Sequence, residues 1–141
     1  MGLDMHLTAT KYLWRHAVKP RIGGIPKGFE AESVTVEAAY WRKSNQIHAW
    51  FVKNVQDGVD DCKEYDVSHG QLLELQKLCV KTLSDRENAA QHLPVQSGFF
   101  FGSTTYDDWY FSDLQNTVDQ IERVLEGFDP KIWSLTYRAS W

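Results

Sequence analysis

Alternation of apolar and polar positions predicts most of the β-sheet of this chain. Residues 3–15, 31–38 and 133–141 place apolar side chains at every second position, which is typical of strands with one buried face. A fourth strand is predicted at 95–103, where three consecutive phenylalanines lie between two glycines. The first two strands are expected to pair as an antiparallel hairpin with a long loop.

Apolar residues spaced three and four apart predict three helices. The first covers about 40–55. The second begins with a capping-box pair, Ser68 and Gln71, and runs to about Leu83. The third begins at two adjacent aspartates, whose carboxylates suit the positive end of the helix dipole, and it ends at Gly127.

The order of these elements predicts the fold class. Strands and helices do not alternate strictly, which favours an α+β fold over a doubly wound parallel sheet. With 141 residues the chain is expected to form a single domain, 1–141. We expect a mostly antiparallel, curved sheet of about four strands with three helices packed on one side. A connector at 17–30, rich in proline and glycine, is expected to be mobile.

Charge is distributed unevenly along the chain. Residues 1–53 carry eight Lys and Arg against four Asp and Glu, whereas residues 54–141 carry seven against fifteen. The acidic second half argues against extensive contact with phosphates, so nucleic-acid binding is not expected. It suits a protein partner with a basic surface, although a well-solvated surface explains the same composition.

The N-terminal residues and the cysteines indicate a cytoplasmic protein. Asp4 stands where a secretory signal would carry basic residues, and no apolar run approaches the length of a membrane span. Cys62 and Cys79 belong to no CxxC motif, so we expect two reduced thiols. These features predict a cytoplasmic location without membrane contact.

The twelve residues Tyr40–Phe51 contain the first candidates for binding. Read as a helix, this segment has an apolar stripe and, beside it, a second line formed by Trp41, Asn45 and His48. A histidine on an apolar face is most simply a hydrogen-bonded core residue, whereas the functional alternative places it at the rim of a pocket. Arg42 faces away from this line, either on a solvated cationic face or in an anion or partner site.

The segment around the three phenylalanines supplies the other candidates. A central strand covered on both faces explains its apolar run most simply. In the functional alternative, polar groups at the ends of this strand form hydrogen bonds with a ligand: Ser97, Ser103, Tyr106 and Asp107. A small-ligand site between helix 40–55 and strand 97–103 would require Trp41, Asn45, His48, Ser97 and Asp107 to converge on one concave pocket.

The sequence contains no motif for metal binding or for several common catalytic chemistries. Its five histidines are scattered without an HExxH pattern, and the acidic cluster Asp57–Asp61 lacks the spacing of an EF-hand loop. No GxSxG elbow, GxxxxGK[ST] loop or strand–GxGxxG–helix unit occurs. We therefore name no catalytic residue, no metal and no cofactor, and we favour a non-enzymatic protein.

Five sequence blocks, in order, resemble one family of small uncharacterised phage and prophage proteins. The blocks are Gly2–Met5 (GLDM), Tyr40–Phe51 (YWRKxNxIHxWF), Gln56–Tyr65 (QDGxDDCxEY), Leu93–Tyr110 (containing SGFFFGS) and Ser140–Trp141. Ser44 and Val95 depart from the family pattern, which has alanine and threonine there. The resemblance implies no established activity. It does imply a phage context in a bacterial host cell, where small acidic domains often bind a host protein, anti-CRISPR inhibitors among them.

Two hypotheses for the function follow from these observations. The first is a phage or prophage accessory protein that binds a host macromolecule in a counter-defence role, since its second half is acidic and aromatic residues anchor interfaces. The alternative is a small-ligand-binding or enzymatic domain with the pocket described above. Self-association into a homodimer through the C-terminal edge strand is compatible with either hypothesis.

Overall fold

The computed structural model describes residues 2–14, 22–98 and 101–141. The strands are β1 Asp4–Tyr12, β2 Ser33–Arg42, β3 Tyr65–Val67 and β4 Ser134–Ser140; the helices are α1 Asn45–Asn54, α2 His69–Ser84, α3 Ala89–His92 and α4 Asp108–Gly127. A 3-10 turn, Arg86–Asn88, precedes α3. The strands form one antiparallel sheet in the order β2-β1-β4-β3, so the predicted α+β class is confirmed.

One face of the sheet is apolar and forms the base of the core. Met5 and Leu7 of β1 are fully buried on this face, and the register sets Leu7 opposite Ala39 of β2 and Tyr137 of β4. The alternate residues of the same strands form an open face that is mainly polar. The alternation in the sequence therefore separates the core from the solvent.

The helices pack on the apolar face. Phe51 of α1 stacks on Tyr137 of β4, with ring centroids 3.8 Å apart and planes 8° from parallel. Helix α4 packs against α2 and contacts the edge strand β2. There the Gln120 side chain accepts from the Tyr40 N–H at 2.9 Å and donates to the Tyr40 carbonyl at 3.0 Å. This pair of hydrogen bonds satisfies outward polar groups of an exposed sheet edge.

The predicted ends of α2 and α4 are confirmed. Helix α2 begins with a capping box, in which Ser68 Oγ accepts from the Gln71 N–H and the Gln71 side chain accepts from the Ser68 N–H. Asp107 caps α4 by accepting from the Tyr110 N–H at 3.1 Å, and this helix ends at Gly127. These signals are local, so the sequence alone sufficed to find them.

The predicted start of the first helix at Tyr40 is wrong. Tyr40 and Trp41 continue β2, where Trp41 lies opposite Met5 of β1. Lys43, with φ of 54°, then turns the chain, and α1 begins at Asn45. Tyr40 and Trp41 form a strand although their spacing also fits a helix, because pairing with β1 buries Trp41 on the core face.

The predicted strand at 95–103 is also wrong for the residues that the structure describes, because 95–98 and 101–103 belong to no strand. Phe101 folds back over Gly98, with its N–H donating to the Gly98 carbonyl at 3.1 Å. A Cβ at Gly98 would lie 2.6 Å from the Phe101 ring, so a larger residue at position 98 would displace that ring. The fourth strand is β3 instead, a short strand just before the capping box of α2 that the sequence pattern did not predict.

Three further predictions concern helix number, the sheet edge and the connector. The described chain contains the short helix α3 in addition to the three predicted helices. Strand β4 lies between β1 and β3, so it is not the free edge strand predicted for self-association. Residues 22–30 of the predicted connector are exposed coil and turns. Residues 17–21 of that connector, residue 15 of the first predicted strand, and Phe99 and Phe100 lie outside the described residues.

Candidate functional site

Trp41 fastens β2 to α4. Its indole N–H donates to Thr117 Oγ1 of α4 at 2.9 Å, and its ring packs on Phe51 with centroids 5.9 Å apart. The whole side chain is buried. The ring and the N–H of Trp41 therefore both form contacts within the fold, and neither is available to a ligand.

Asn45, in the first turn of α1, forms hydrogen bonds with the backbone of Gln96, Phe101 and Ser103. Its amide nitrogen donates to the carbonyl oxygens of Phe101 at 3.2 Å and Ser103 at 2.9 Å. Its Oδ1 accepts from the Gln96 N–H at 2.9 Å. One buried side chain thus supplies the hydrogen bonds that a neighbouring strand would have given this segment.

His48 is the centre of a buried chain of hydrogen bonds. The Tyr137 hydroxyl donates to its Nδ1 at 2.7 Å, and its Nε2–H donates to Asp60 Oδ1 at 2.8 Å. These partners fix the neutral tautomer with its proton on Nε2. The rings of Phe101 and Trp141 lie 5.5 and 5.7 Å from the imidazole. His48 is therefore enclosed in the core, and it ties α1 to β4 and to the loop before β3.

Burial sets the acid–base properties of the hydrogen-bonded chain Tyr137–His48–Asp60. It lowers the pKa of His48 below the usual 6.5, and the Asp60 carboxylate offsets part of that shift. Burial also raises the pKa of Tyr137 well above 10, with a further contribution from Asp60. At neutral pH the tyrosine is therefore the proton donor and the imidazole is the acceptor.

We expect the free energy of unfolding to fall as the pH is lowered from about 7 to about 5.5. In the unfolded chain His48 takes up a proton near its ordinary pKa of 6.5, whereas in the folded state its pKa is lower. Protonation therefore stabilises the unfolded chain relative to the folded state as the pH falls. Urea titrations at closely spaced pH values measure the slope. The variant His48→Gln should show a smaller slope in this window, and identical slopes would contradict the assignment.

Tyr106 and Asp107 organise the entry into α4. Asp107 is the N-cap of the helix, and Tyr106 lies edge-on to Tyr110 with ring centroids 4.9 Å apart. The Tyr106 hydroxyl also accepts from the Val95 N–H at 3.1 Å. Ser97 is exposed on the preceding segment.

A cavity of about 300 Å³, called the α4 cavity below, lies between the turn before α1 and the first turns of α4. Of the five residues predicted to converge on one pocket, only Asp107 lines it, so those five side chains do not form one site. Its lining includes three predicted candidates and seven further residues: Arg42, Ser103 and Asp107, with Lys43, Gln46, Gly102, Thr105, Trp109, Tyr110 and Asp113.

Two left-handed backbone positions fix one wall of the α4 cavity. Lys43 has φ of 54° and Gly102 has φ of 94°. A Cβ at Gly102 would lie 2.9 Å from the Lys43 carbonyl oxygen. Because glycine alone tolerates both this φ and this approach, Gly102 holds the segment 102–105 against the turn before α1.

Asp113 and Trp109 are two of the seven residues of the α4 cavity that were not predicted as candidates. Burial raises the pKa of Asp113; the neighbouring Gln46 amide and Ser44 hydroxyl offset part of the rise, and Asp107 adds to it. Trp109 precedes Asp113 by four residues, which sets both side chains on one flank of α4. Its side chain is 81% exposed. A tryptophan directly after the two aspartates that begin the helix was the signal available in the sequence.

A larger cavity of about 770 Å³ lies between α1 and residues 91–96. Trp50, Leu78 and Leu93 give it apolar walls, and Lys53 and Asp57 add charged groups. None of the predicted candidate residues lines this cavity.

Comparison of the chain with models of protein families, with curated proteins and with solved structures gives no match. Within residues 2–14, 22–98 and 101–141, no helix has both the length and the apolar character needed to cross a membrane. The same ranges contain no group of three or more His, Cys, Asp or Glu that could hold a metal ion. The function must therefore be inferred from the surfaces and cavities of this chain.

Proposed function

We propose that this protein acts by binding the basic surface of another protein through the outer face of α4 and the adjoining Trp109. The resemblance to phage and prophage proteins makes a bacterial host protein the proposed partner. Inhibition of a host defence component is the proposed role. The observation that carries the proposal is an acidic helix face combined with an exposed tryptophan, and no catalytic step is part of it.

The outer face of α4 carries acidic residues at its first position and along its C-terminal half. Asp108, Asp119, Glu122 and Glu126 are exposed, and their spacing corresponds closely to whole helical turns, so they form one line, the α4 acidic stripe. Arg123 is the only basic residue in this helix. Such an excess of carboxylates favours and steers the approach of a basic partner.

Trp109 gives the acidic surface an apolar anchor. It lies in the first turn of α4, next to Asp108, and its side chain is 81% exposed. Tryptophan is enriched among the few residues that dominate the binding energy of protein interfaces. An indole beside carboxylates suits a partner that offers an apolar depression surrounded by basic residues.

The buried polar residues support a binding role rather than catalysis. A general base must reach the proton that it removes from a substrate. Both ring nitrogens of His48 are already hydrogen-bonded, to Tyr137 and Asp60. Asn45 likewise directs its amide to the protein backbone.

Surface variants of α4 should lose the partner and keep the fold. We expect tagged wild-type protein to capture a basic protein from a bacterial host lysate. Trp109→Ala should weaken that interaction by at least about tenfold, because it removes an anchor residue. Simultaneous Asp119→Lys, Glu122→Lys and Glu126→Lys should abolish it, and high salt should weaken it. Quantitative mass spectrometry of the captured proteins, followed by titration of the purified pair, measures these effects.

Ile132→Ala is the matched control for Trp109→Ala. This residue is 52% exposed outside α4, so the change removes apolar surface without touching the proposed interface. Capture should be unchanged. Two outcomes would count against the proposal: equal effects of the two alanine variants, or capture that does not change when the charges of the α4 acidic stripe are reversed.

The larger cavity favours a second function, the binding of a small molecule. Its volume of about 770 Å³ falls within the range usual for ligand pockets, with Trp50 as an apolar wall and Lys53 as a charged group. Native mass spectrometry of gently purified protein would show a bound molecule at a fixed ratio. Ala49→Phe, which fills the cavity, should remove it. A bound molecule together with no Trp109-dependent partner would favour this second function over the first.

A further inference from the structure

The α4 cavity contains a carboxylate without a countercharge. Asp113 is partly withdrawn from water, and the one charged group that perturbs its pKa is another acid, Asp107. Arg42 and Lys43 line the same cavity, and Arg42 interacts with the Tyr40 hydroxyl of the open sheet face. Among the described residues no ion pair includes Asp113. A cationic group that entered here would compensate a charge that the chain leaves unpaired.

A buried hydroxyl beside this carboxyl is also unpaired. Ser44 is 1% exposed, and its Oγ lies close enough to lower the Asp113 pKa without completing a hydrogen bond by distance and angle. Buried polar groups are nearly always hydrogen-bonded in folded proteins. Ser44 itself does not line the α4 cavity, so its hydroxyl lies beside the Asp113 carboxyl and behind the cavity wall.

Trp109 supplies a flat aromatic face one helical turn before Asp113. Guanidinium groups stack on such faces, and their planar N–H groups match a carboxylate in bidentate geometry. An ammonium group is a more strongly hydrated point charge and matches this arrangement less well. The volume of about 300 Å³ is at the low end for ligand pockets, which suits one side chain better than a large molecule.

We propose that the α4 cavity receives the guanidinium group of an arginine on the partner protein, paired with Asp113 and stacked on Trp109. This inference rests on the proposed function, because it names the group by which the basic partner enters the α4 surface. Asp107 adds a second negative charge to the same wall. The ion pair would form in a partly desolvated position, where it is stronger than on open surface.

L-Argininamide is the probe that tests this site without the partner. Its binding is followed by ¹H–¹⁵N NMR on the Trp109 indole signal, which is assigned by its disappearance in Trp109→Ala. We expect a saturable shift, and none with L-citrullinamide, which has a similar shape and the same α-amino group but an uncharged ureido group in place of the guanidinium. Asp113→Asn keeps the shape of the side chain and should weaken binding by at least about tenfold. Ser112→Ala, an exposed neighbour, should leave the titration unchanged.

Equal shifts with both amides, or an unchanged argininamide affinity in Asp113→Asn, would overturn the guanidinium site. If Asp113→Asn fails to fold, Trp109→Ala is the second variant, because the Trp109 side chain is exposed and its loss should not affect folding. This variant should not respond to argininamide. The response is then followed on the backbone amide signals of Gly102 and Thr105. A Trp109-dependent partner without any argininamide response would overturn this site and leave the proposed function standing. An argininamide response without such a partner would support this site and count against the proposed function.

Discussion

Replacing Asn45 with alanine should lower the free energy of unfolding by about 3 kcal/mol. The change removes the partner of the Gln96 N–H and of the Phe101 and Ser103 carbonyls at a buried position. Each group left unpaired away from water costs free energy, and the described residues 96–98 and 101–103 belong to no strand that could replace these hydrogen bonds. We also expect faster hydrogen exchange of the backbone amides in residues 96–105.

Urea unfolding of the wild type and the variant measures the loss of stability. Asn54→Ala is the matched control, because Asn54 is exposed and its amide forms one local hydrogen bond, to the Trp50 carbonyl. That control should cost less than about 1 kcal/mol. If Asn45→Ala cost no more than the control, the proposed role of Asn45 in holding the segment would be wrong.

Replacing His48 with alanine should lower the free energy of unfolding by about 4 kcal/mol. The change leaves a void beside Phe101 and Trp141 and deprives the buried Tyr137 hydroxyl of its acceptor. It also releases Asp60 and the loop that this carboxylate ties to α1. Packing and hydrogen bonding are lost together, which explains the size of the effect.

Two further variants separate these contributions. Tyr137→Phe removes the hydroxyl and keeps the ring stacked on Phe51, so it should cost only about 1–2 kcal/mol. His6→Ala is the matched histidine control: His6 forms an exposed pair with Glu37, and its loss should cost less than about 1 kcal/mol. A His48→Ala effect as small as that of His6→Ala would contradict the buried chain of hydrogen bonds.

The parts of the fold predicted correctly depend on local patterns. The alternation in 133–141 matches β4, and the capping signals at Ser68 and Asp107 match the starts of α2 and α4. Each of these features is decided by neighbours within a few residues. The boundary between β2 and α1 is different, because Trp41 satisfies two periodicities and only pairing with Met5 decides between them.

The candidate site depended more on long-range contacts, which the sequence does not specify. Asn45 and His48 were singled out in the sequence as unusual polar residues, but most of their hydrogen-bond partners lie far along the chain. Tyr137 is 89 residues from His48, and the carbonyls of the segment that Asn45 holds are more than 50 residues away. Trp109 was overlooked because it is the first of three consecutive aromatic residues at the start of α4, and the sequence does not show which of the three is exposed.

Photo-crosslinking from position 112 tests binding through α4 most directly. Ser112 is exposed between the α4 acidic stripe and Trp109, whereas Thr35 is exposed on the open face of the sheet and serves as the comparison. In bacterial host cells, a crosslinker at position 112 should give one main adduct with a basic protein. That adduct should be lost in Trp109→Ala and absent from position 35. No adduct at position 112, or the same adduct from both positions, would contradict the proposed interface.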